Sequence, residues 1–161
     1  MPSPIRPTDD AARATARALL TEARIAALGV LTPEGTPLVT RIAFGLAPSG
    51  QPVSLVSSLS AHTAALAERP ACSLLVGEAG PRGDPLNQPR LTLRATARLL
   101  PRAHPDHAEI AAHYLRSHPK AKLYIGFADF RFALFTVSRG HLNGGFGKAF
   151  DLAPADMGLD A

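Results

Sequence analysis

The sequence predicts a mainly β domain with peripheral helices (α+β), an antiparallel barrel, and three observations carry that prediction. Short apolar runs bounded by Pro, Gly and Ser recur along the chain. In residues 90–100, Leu91, Leu93, Ala95, Ala97 and Leu99 alternate with Arg90, Thr92, Arg94, Thr96 and Arg98, the period of a strand with one buried face. Helical stretches stand at the ends and between strand pairs rather than after every strand, which disfavours a parallel doubly wound sheet.

Taken in order, Thr8 or Asp9 caps a helix running to about Arg24, rich in alanine and with Leu19, Leu20 and Ile25 toward its end. A strand over 27–32, a Pro33-Glu34-Gly35 turn and a strand over 37–47 follow. Pro48-Ser49-Gly50 turns the chain into a strand over 53–57, then a short helix over 61–68 and a strand over 71–76. Residues 77–89 hold Gly77, Gly80, Pro81, Gly83, Pro85 and Pro89, which is loop chemistry. After the strand over 90–100 come a helix over 106–117, a short helical piece over 121–127, and strands over 131–137 and 140–146. No repeat or long linker divides the chain, so residues 1–161 are expected to form one domain.

Composition narrows the function classes. The chain has 161 residues, 46% of them apolar, enough for a packed core. Its formal charge is +4, from 17 Lys and Arg against 13 Asp and Glu, but the arginines are scattered and aromatics make up only 6%. A groove that tracks nucleic acid needs more of both, so nucleic-acid binding is not expected. Neither an apolar leader nor an apolar run of ~18 residues is visible, so a cytoplasmic protein without a membrane span is expected. The single Cys72 lies in an apolar run and reads as a core residue.

The richest stretch is the turn at 57–63. Ser57, Ser58, Ser60 and Thr63 set hydroxyls and backbone N–H groups where a helix begins, with His62 among them. A helix N-terminus leaves about four N–H donors unpaired and carries roughly half a positive charge, which suits a phosphate. Ordinary N-capping needs only one such hydroxyl and explains part of the pattern equally well.

Other motifs fail. His107 and His113 stand about 240° apart on a helix, and His107 and His118 about 16 Å apart along it, so neither pair ligates one ion. Surface or capping roles suit the histidines better, and no metal site is expected. Gly147-Lys148 ends like a P-loop, but Leu142 stands where the first Gly is needed and Ala149 where Ser or Thr would hold magnesium. Gly77, Gly80 and Gly83 precede a strand rather than opening a helix, and no Gly-x-Ser-x-Gly elbow exists. There remains Asn143-Gly144-Gly145-Phe146-Gly147-Lys148-Ala149, whose glycines let backbone approach a ligand or partner and whose Phe146 offers a flat apolar surface. A turn after the last strand is the plainer reading.

These residues together resemble a known family. The strand with Arg41, Ser57-Ser58-Leu59-Ser60-Ala61-His62-Thr63, Arg69-Pro70-Ala71-Cys72-Ser73-Leu74-Leu75, Gly83-Asp84-Pro85 and Arg90-Leu91-Thr92-Leu93 occur in the order found in flavin-binding split-barrel proteins. So do His118-Pro119-Lys120-Ala121, Phe127-Ala128-Asp129-Phe130 and Gly144-Gly145-Phe146-Gly147-Lys148-Ala149. The chain is similar to proteins related to pyridoxamine 5′-phosphate oxidase, and among them to the HugZ-type haem-utilisation branch. The resemblance implies a six-stranded antiparallel split β-barrel, a homodimer, and FMN in a cleft between two copies.

It further implies Arg41, Ser57, Ser58, Ser60, His62 and Thr63 at the FMN phosphate, and Arg90 near the flavin ring or ribityl chain. His62 stands where many oxidase relatives have Lys, and Ala65 where the haem branch commonly has Asn. Residues 150–161 carry no basic side chain and no histidine. The resemblance therefore implies an FMN-dependent oxidoreductase acting on an unidentified small molecule. Its alternatives are a haem-binding or haem-degrading protein and a non-catalytic flavin binder.

Overall fold

The computed structural model describes residues 3–160. Its backbone is one sheet of nine strands: β1 (Ile5–Arg6), β2 (Ile25–Leu31), β3 (Pro37–Ala43), β4 (Gly45–Leu46), β5 (Pro52–Ser57), β6 (Ala71–Val76), β7 (Arg90–Leu99), β8 (Phe130–Asn143) and β9 (Ala149–Leu152). The three α-helices are α1 (Asp10–Glu22), α2 (Ala61–Glu68) and α3 (His107–Ser117). The strand order β3-β2-β6-β7-β8 continues through β9 to β1, and β5 pairs with β8 as well. The six long strands β2, β3, β5, β6, β7 and β8 are antiparallel wherever they pair, and they form the predicted split barrel.

The barrel is split because β3 and β5 are not paired with each other. Across that seam the buried Ser54 hydroxyl donates to the Ala43 carbonyl at 2.6 Å. Alternation explains the core: Ala26, Leu28, Val30, Leu74, Val76, Leu91 and Leu93 point inward, while Ala27, Gly29, Leu75, Thr92 and Arg94 point outward. Ala65 and Leu66 of α2 and Leu20 of α1 join this core. The strand β5 is buried on both faces, because Val53 and Leu55 pack into a second cluster with Ile110, Tyr114 and Phe132 beneath α3.

Several expected boundaries are corrected. Residues 131–137 and 140–146 are not two strands: β8 is continuous, with Ser138 bulged out between the Ala95–Val137 and Arg94–Arg139 pairs. The strand expected over 37–47 breaks at buried Phe44 into β3 and β4. The helical piece expected over 121–127 is a 3-10 helix at Pro119–Leu123. Three short strands, β1, β4 and β9, were not anticipated as separate elements, and β1 and β9 pair in parallel.

Asp9, not Thr8, caps α1, and Thr8 instead donates its hydroxyl to the Asp151 carbonyl at 2.8 Å. Cys72 lies half-buried against the barrel core, and burial pushes its thiol up to about 11. His118 stacks on Tyr114 with ring centroids 4.2 Å apart and pairs through Nε2 with the Arg24 carbonyl, a structural role.

Candidate functional site

At the end of β5 the chain turns into α2 through a tightly stitched loop. The Ser58 N–H donates to the Asp129 carbonyl at 2.7 Å, and the Ser57 hydroxyl donates to Asp129 Oδ2 at 2.7 Å. Ser57 Oγ also accepts from the Leu59 N–H, so this hydroxyl holds the turn in shape. Ser60 is the N-cap in extended conformation; its carbonyl accepts from the N–H groups of Thr63 and Ala64, but its side chain makes no cap bond. The N–H groups of Ala61 and His62 are left without an acceptor among the described residues.

Thr63 is the unusual residue of this turn. It is only 2% exposed, yet its Oγ1 has no hydrogen-bond partner among the described residues. A buried unsatisfied hydroxyl costs roughly 1–3 kcal/mol, so its presence asks for a reason. Next to it, His62 Nδ1 pairs with Thr40 Oγ1 at 3.1 Å, tying the first turn of α2 to β3. Burial lowers the His62 pKa below its usual value.

Arg41 follows Thr40 in β3 and faces the outer side of the sheet. It is exposed and makes neither hydrogen bond nor salt bridge among the described residues. It lines a cavity of about 360 Å³ with Val39, Leu75 and Glu78 on that outer face. A second hollow of about 480 Å³, bordered by Gly29, Leu31, Ser73 and Arg94, continues it. The apolar rim is open to solvent, with Val39 68% and Leu75 43% exposed.

The fold therefore gathers Ser57, Ser58, Ser60, His62 and Thr63 into one turn, tied to β3 at Thr40, the residue before Arg41. Arg90 is elsewhere. It opens β7 opposite Asn143, and its guanidinium donates to the carbonyls of Leu86 and Gln88. The 57–63 turn adjoins the opposite end of that ladder, where Ser57 pairs with Phe130 and Leu99 with Ala133. Beside Arg90, Asp151 Oδ1 holds His141 Nδ1 at 2.7 Å across β8 and β9. Sequence reasoning did not assign roles to Asp129, Thr40 or Asn87. Each acts through a partner distant in sequence, and only Asp129 stood within a matched motif.

Comparison with known proteins fits this geometry. The model of the pyridoxamine 5′-phosphate oxidase family matches residues 12–143. Over 101 residues the chain is 37% identical to HOZ, a chloroplastic heme oxygenase of Arabidopsis thaliana, covering 62% of this chain but 29% of that protein. The chain thus spans less than a third of that relative's length. A heme binding protein from Mycobacterium smegmatis superposes with a TM-score of 0.82 at 28% identity, over 96% of this chain and 61% of the other. ChuZ of Campylobacter jejuni, at 17% identity and a TM-score of 0.83 over 94% of this chain and 63% of that one, shares the fold. A barrel of six long strands split at β3 and β5, matched by its family model over most of its length, belongs to the pyridoxamine 5′-phosphate oxidase family.

Proposed function

We propose that this chain is an FMN-binding flavoprotein, an oxidoreductase acting on a small molecule, with the FMN phosphate at the first turn of α2. The observation that carries the reading is the buried Thr63 hydroxyl, which with the Ala61 and His62 N–H groups and Arg41 has no partner among the described residues. These donors fit a phosphate: N–H groups and a hydroxyl donate to its oxygens, and a guanidinium supplies the opposite charge. Because β3 pairs only with β2, no strand stands between Arg41 and α2 along that edge. Ser57, saturated by Asp129 and Leu59, shapes the cradle rather than filling it.

Bound there, FMN supplies the hydride and oxygen chemistry of its own ring. The protein's share is to hold the phosphate, orient the ring and exclude water. The apolar outer face around Leu75 and Val39 is read as the surface covered by a second copy, making a homodimer with the cofactor at its edge. Sedimentation showing a stable monomer with FMN at full stoichiometry would reject that arrangement.

The direct test compares FMN with riboflavin in thermal melts. FMN at ~100 times its dissociation constant stabilises the native state by about 2.7 kcal/mol. Riboflavin, lacking the phosphate, is expected to do much less; equal shifts would remove the phosphate from this turn.

A second reading, haem binding, rests on the relatives' names and on His141. With Nδ1 held by Asp151, its Nε2 is left free to meet a metal. A Soret band on haem addition that shifts in His141→Ala would favour it.

A further inference from the structure

Arg131, near the start of β8, is half-buried and has no partner in the fold. Its Nε is buried without a hydrogen-bond partner, and its Nη groups make neither hydrogen bond nor salt bridge among the described residues. Burying part of a guanidinium unpaired costs stability, so an arginine with a purely structural role is normally saturated. Arg102 shows what saturation looks like in this part of the molecule. Its Nη1 donates to the carbonyls of Ile125 at 3.0 Å and Phe130 at 2.7 Å, and its Nη2 to that of Gly126 at 3.2 Å. That clamp fixes the chain leading into β8, and Arg131 has no share in it.

Strand register places this free guanidinium at the 57–63 turn. Arg131 is paired with Val56, and the next pair along the ladder is Phe130 with Ser57. Two residues before Arg131, Asp129 accepts from both the Ser58 N–H and the Ser57 hydroxyl. The turn and the start of β8 are thus one stitched unit.

The side of the sheet is equally defined. Directly opposed residues share a face, and Val56 belongs to the same buried cluster as Ala65 and Leu66 of α2. Phe130 and Phe132, on either side of Arg131, turn to the opposite face, where they pack against Tyr124 and Tyr114. Arg131 therefore rises from β8 on the side that carries α2. The buried face of that helix also holds the Thr63 hydroxyl, which has no partner among the described residues. Two unsatisfied donors, far apart in sequence, meet at one end of one short helix.

We propose that Arg131 is a second cation of the phosphate site, donating from its Nη groups to a phosphate monoester held at the first turn of α2. This rests on the reading of the chain as an FMN binder and adds to it a residue from β8. A phosphate monoester carries close to two negative charges at neutral pH and offers three acceptor oxygens, so one guanidinium leaves its charge half-balanced. Arg41 stands on β3 and Arg131 on the ladder between β8 and β5, the two sides of the barrel's seam. The acceptors that the protein withholds from Arg131 are the ones a phosphate brings, in charge-assisted form.

The test separates phosphate from ring. FMN and riboflavin are titrated by flavin fluorescence into wild type, Arg131→Met and Arg131→Lys. Methionine keeps an apolar stem and removes the charge together with the buried Nε. It is expected to bind FMN about tenfold more weakly and riboflavin as wild type does. Lysine keeps the charge without the planar fork, and its FMN affinity should fall between the two. A readout on the wild-type protein makes the test independent of how the variants fold. The Arg131 Nε–H resonance should shift when FMN is added and stay in place with riboflavin.

Wild-type FMN affinity in Arg131→Met, or equal losses for FMN and riboflavin, overturns the proposal, as does an Nε–H resonance indifferent to FMN. If Arg41→Ala is weakened toward FMN in the same series, the phosphate reading stands without Arg131. If Arg41→Ala also binds FMN as wild type does, the phosphate reading falls together with this proposal.

Discussion

The helices α1 and α2 begin in the same backbone geometry but finish their first turns in opposite ways. Both N-caps are extended, Asp9 at φ −130 and Ser60 at φ −84. Asp9 closes its helix from within: its carboxylate accepts from the Ala12 N–H at 2.7 Å, and Asp10 adds a second negative charge. Among the described residues Ser60 makes no side-chain cap bond, no acid stands in the first turn of α2, and Thr63 keeps a buried hydroxyl without a partner. The arginines follow suit. Arg13 is paired with Asp10 and Asp156, and Arg41 with nothing among the described residues. Both ends begin with the same backbone donors and the same partial positive charge. The chain supplies the anion at α1 and supplies none at α2, the end at which the proposed phosphate would stand.

The comparison breaks most sharply at Arg41. Replacing it by Ala removes a charge-assisted contact to phosphate, so FMN affinity is expected to fall ten- to hundredfold, about 1.5–3 kcal/mol. Apo stability should move by less than ~0.5 kcal/mol, since the side chain is exposed. An unchanged titration would place the anion elsewhere. At Thr63, substitution by Val keeps the shape and deletes the unsatisfied hydroxyl. The apo protein should then melt higher while FMN binds about tenfold more weakly, a divergence that only a ligand-directed hydroxyl produces. A lower apo melting temperature would mean that Thr63 already has its partner in the free protein.

At α1 the expectations reverse. Asp9→Ala should cost about 1 kcal/mol in denaturant unfolding and leave FMN affinity alone, because the lost bond is internal. Ser60→Ala, with no cap bond to lose, should leave apo stability nearly unchanged. Equal costs at the two caps would erase the distinction between them.

How much of this was legible depends on the range of the interactions. The bounds of β7 fall within one residue of the alternation in the sequence, because each of its inward residues meets the same core. The alternation also misled at β8. Inward residues run to Val137 and resume at Gly140, so the bulge at Ser138 flips their parity and one strand reads as two. The two-residue β1 and four-residue β9 carry too few positions to show a period. In the site, the hydroxyls of the 57–63 turn were visible because they fall within seven residues of one another. The Ser57–Asp129 bond, 72 residues apart, and the Thr40–His62 bond, 22 apart, were not, since only the barrel's closure brings them together.

The smallest effect expected is the one that most sharpens the comparison, because His62 should respond to pH in opposite directions in the apo and bound protein. Burial lowers its pKa below 6.5, so the unfolded chain binds more protons than the native one as pH falls through that value. The contribution of a neutral His62 is full above pH 6.5 and is lost as pH drops toward the lowered pKa. His107 titrates in the same direction, through burial and the nearby Arg102, so His62→Gln should remove only part of the acid slope in melting temperature. A phosphate at the start of α2 reverses the balance, since a nearby negative charge favours the imidazolium. FMN binding then takes up a proton, and its affinity should rise a few-fold from pH 8 to 6.5, before the phosphate itself protonates near pH 6. Riboflavin affinity should stay flat over that range, as should FMN affinity in His62→Gln. A flat FMN profile in the wild-type protein would leave His62 as a structural tie to Thr40 and take it out of the phosphate site.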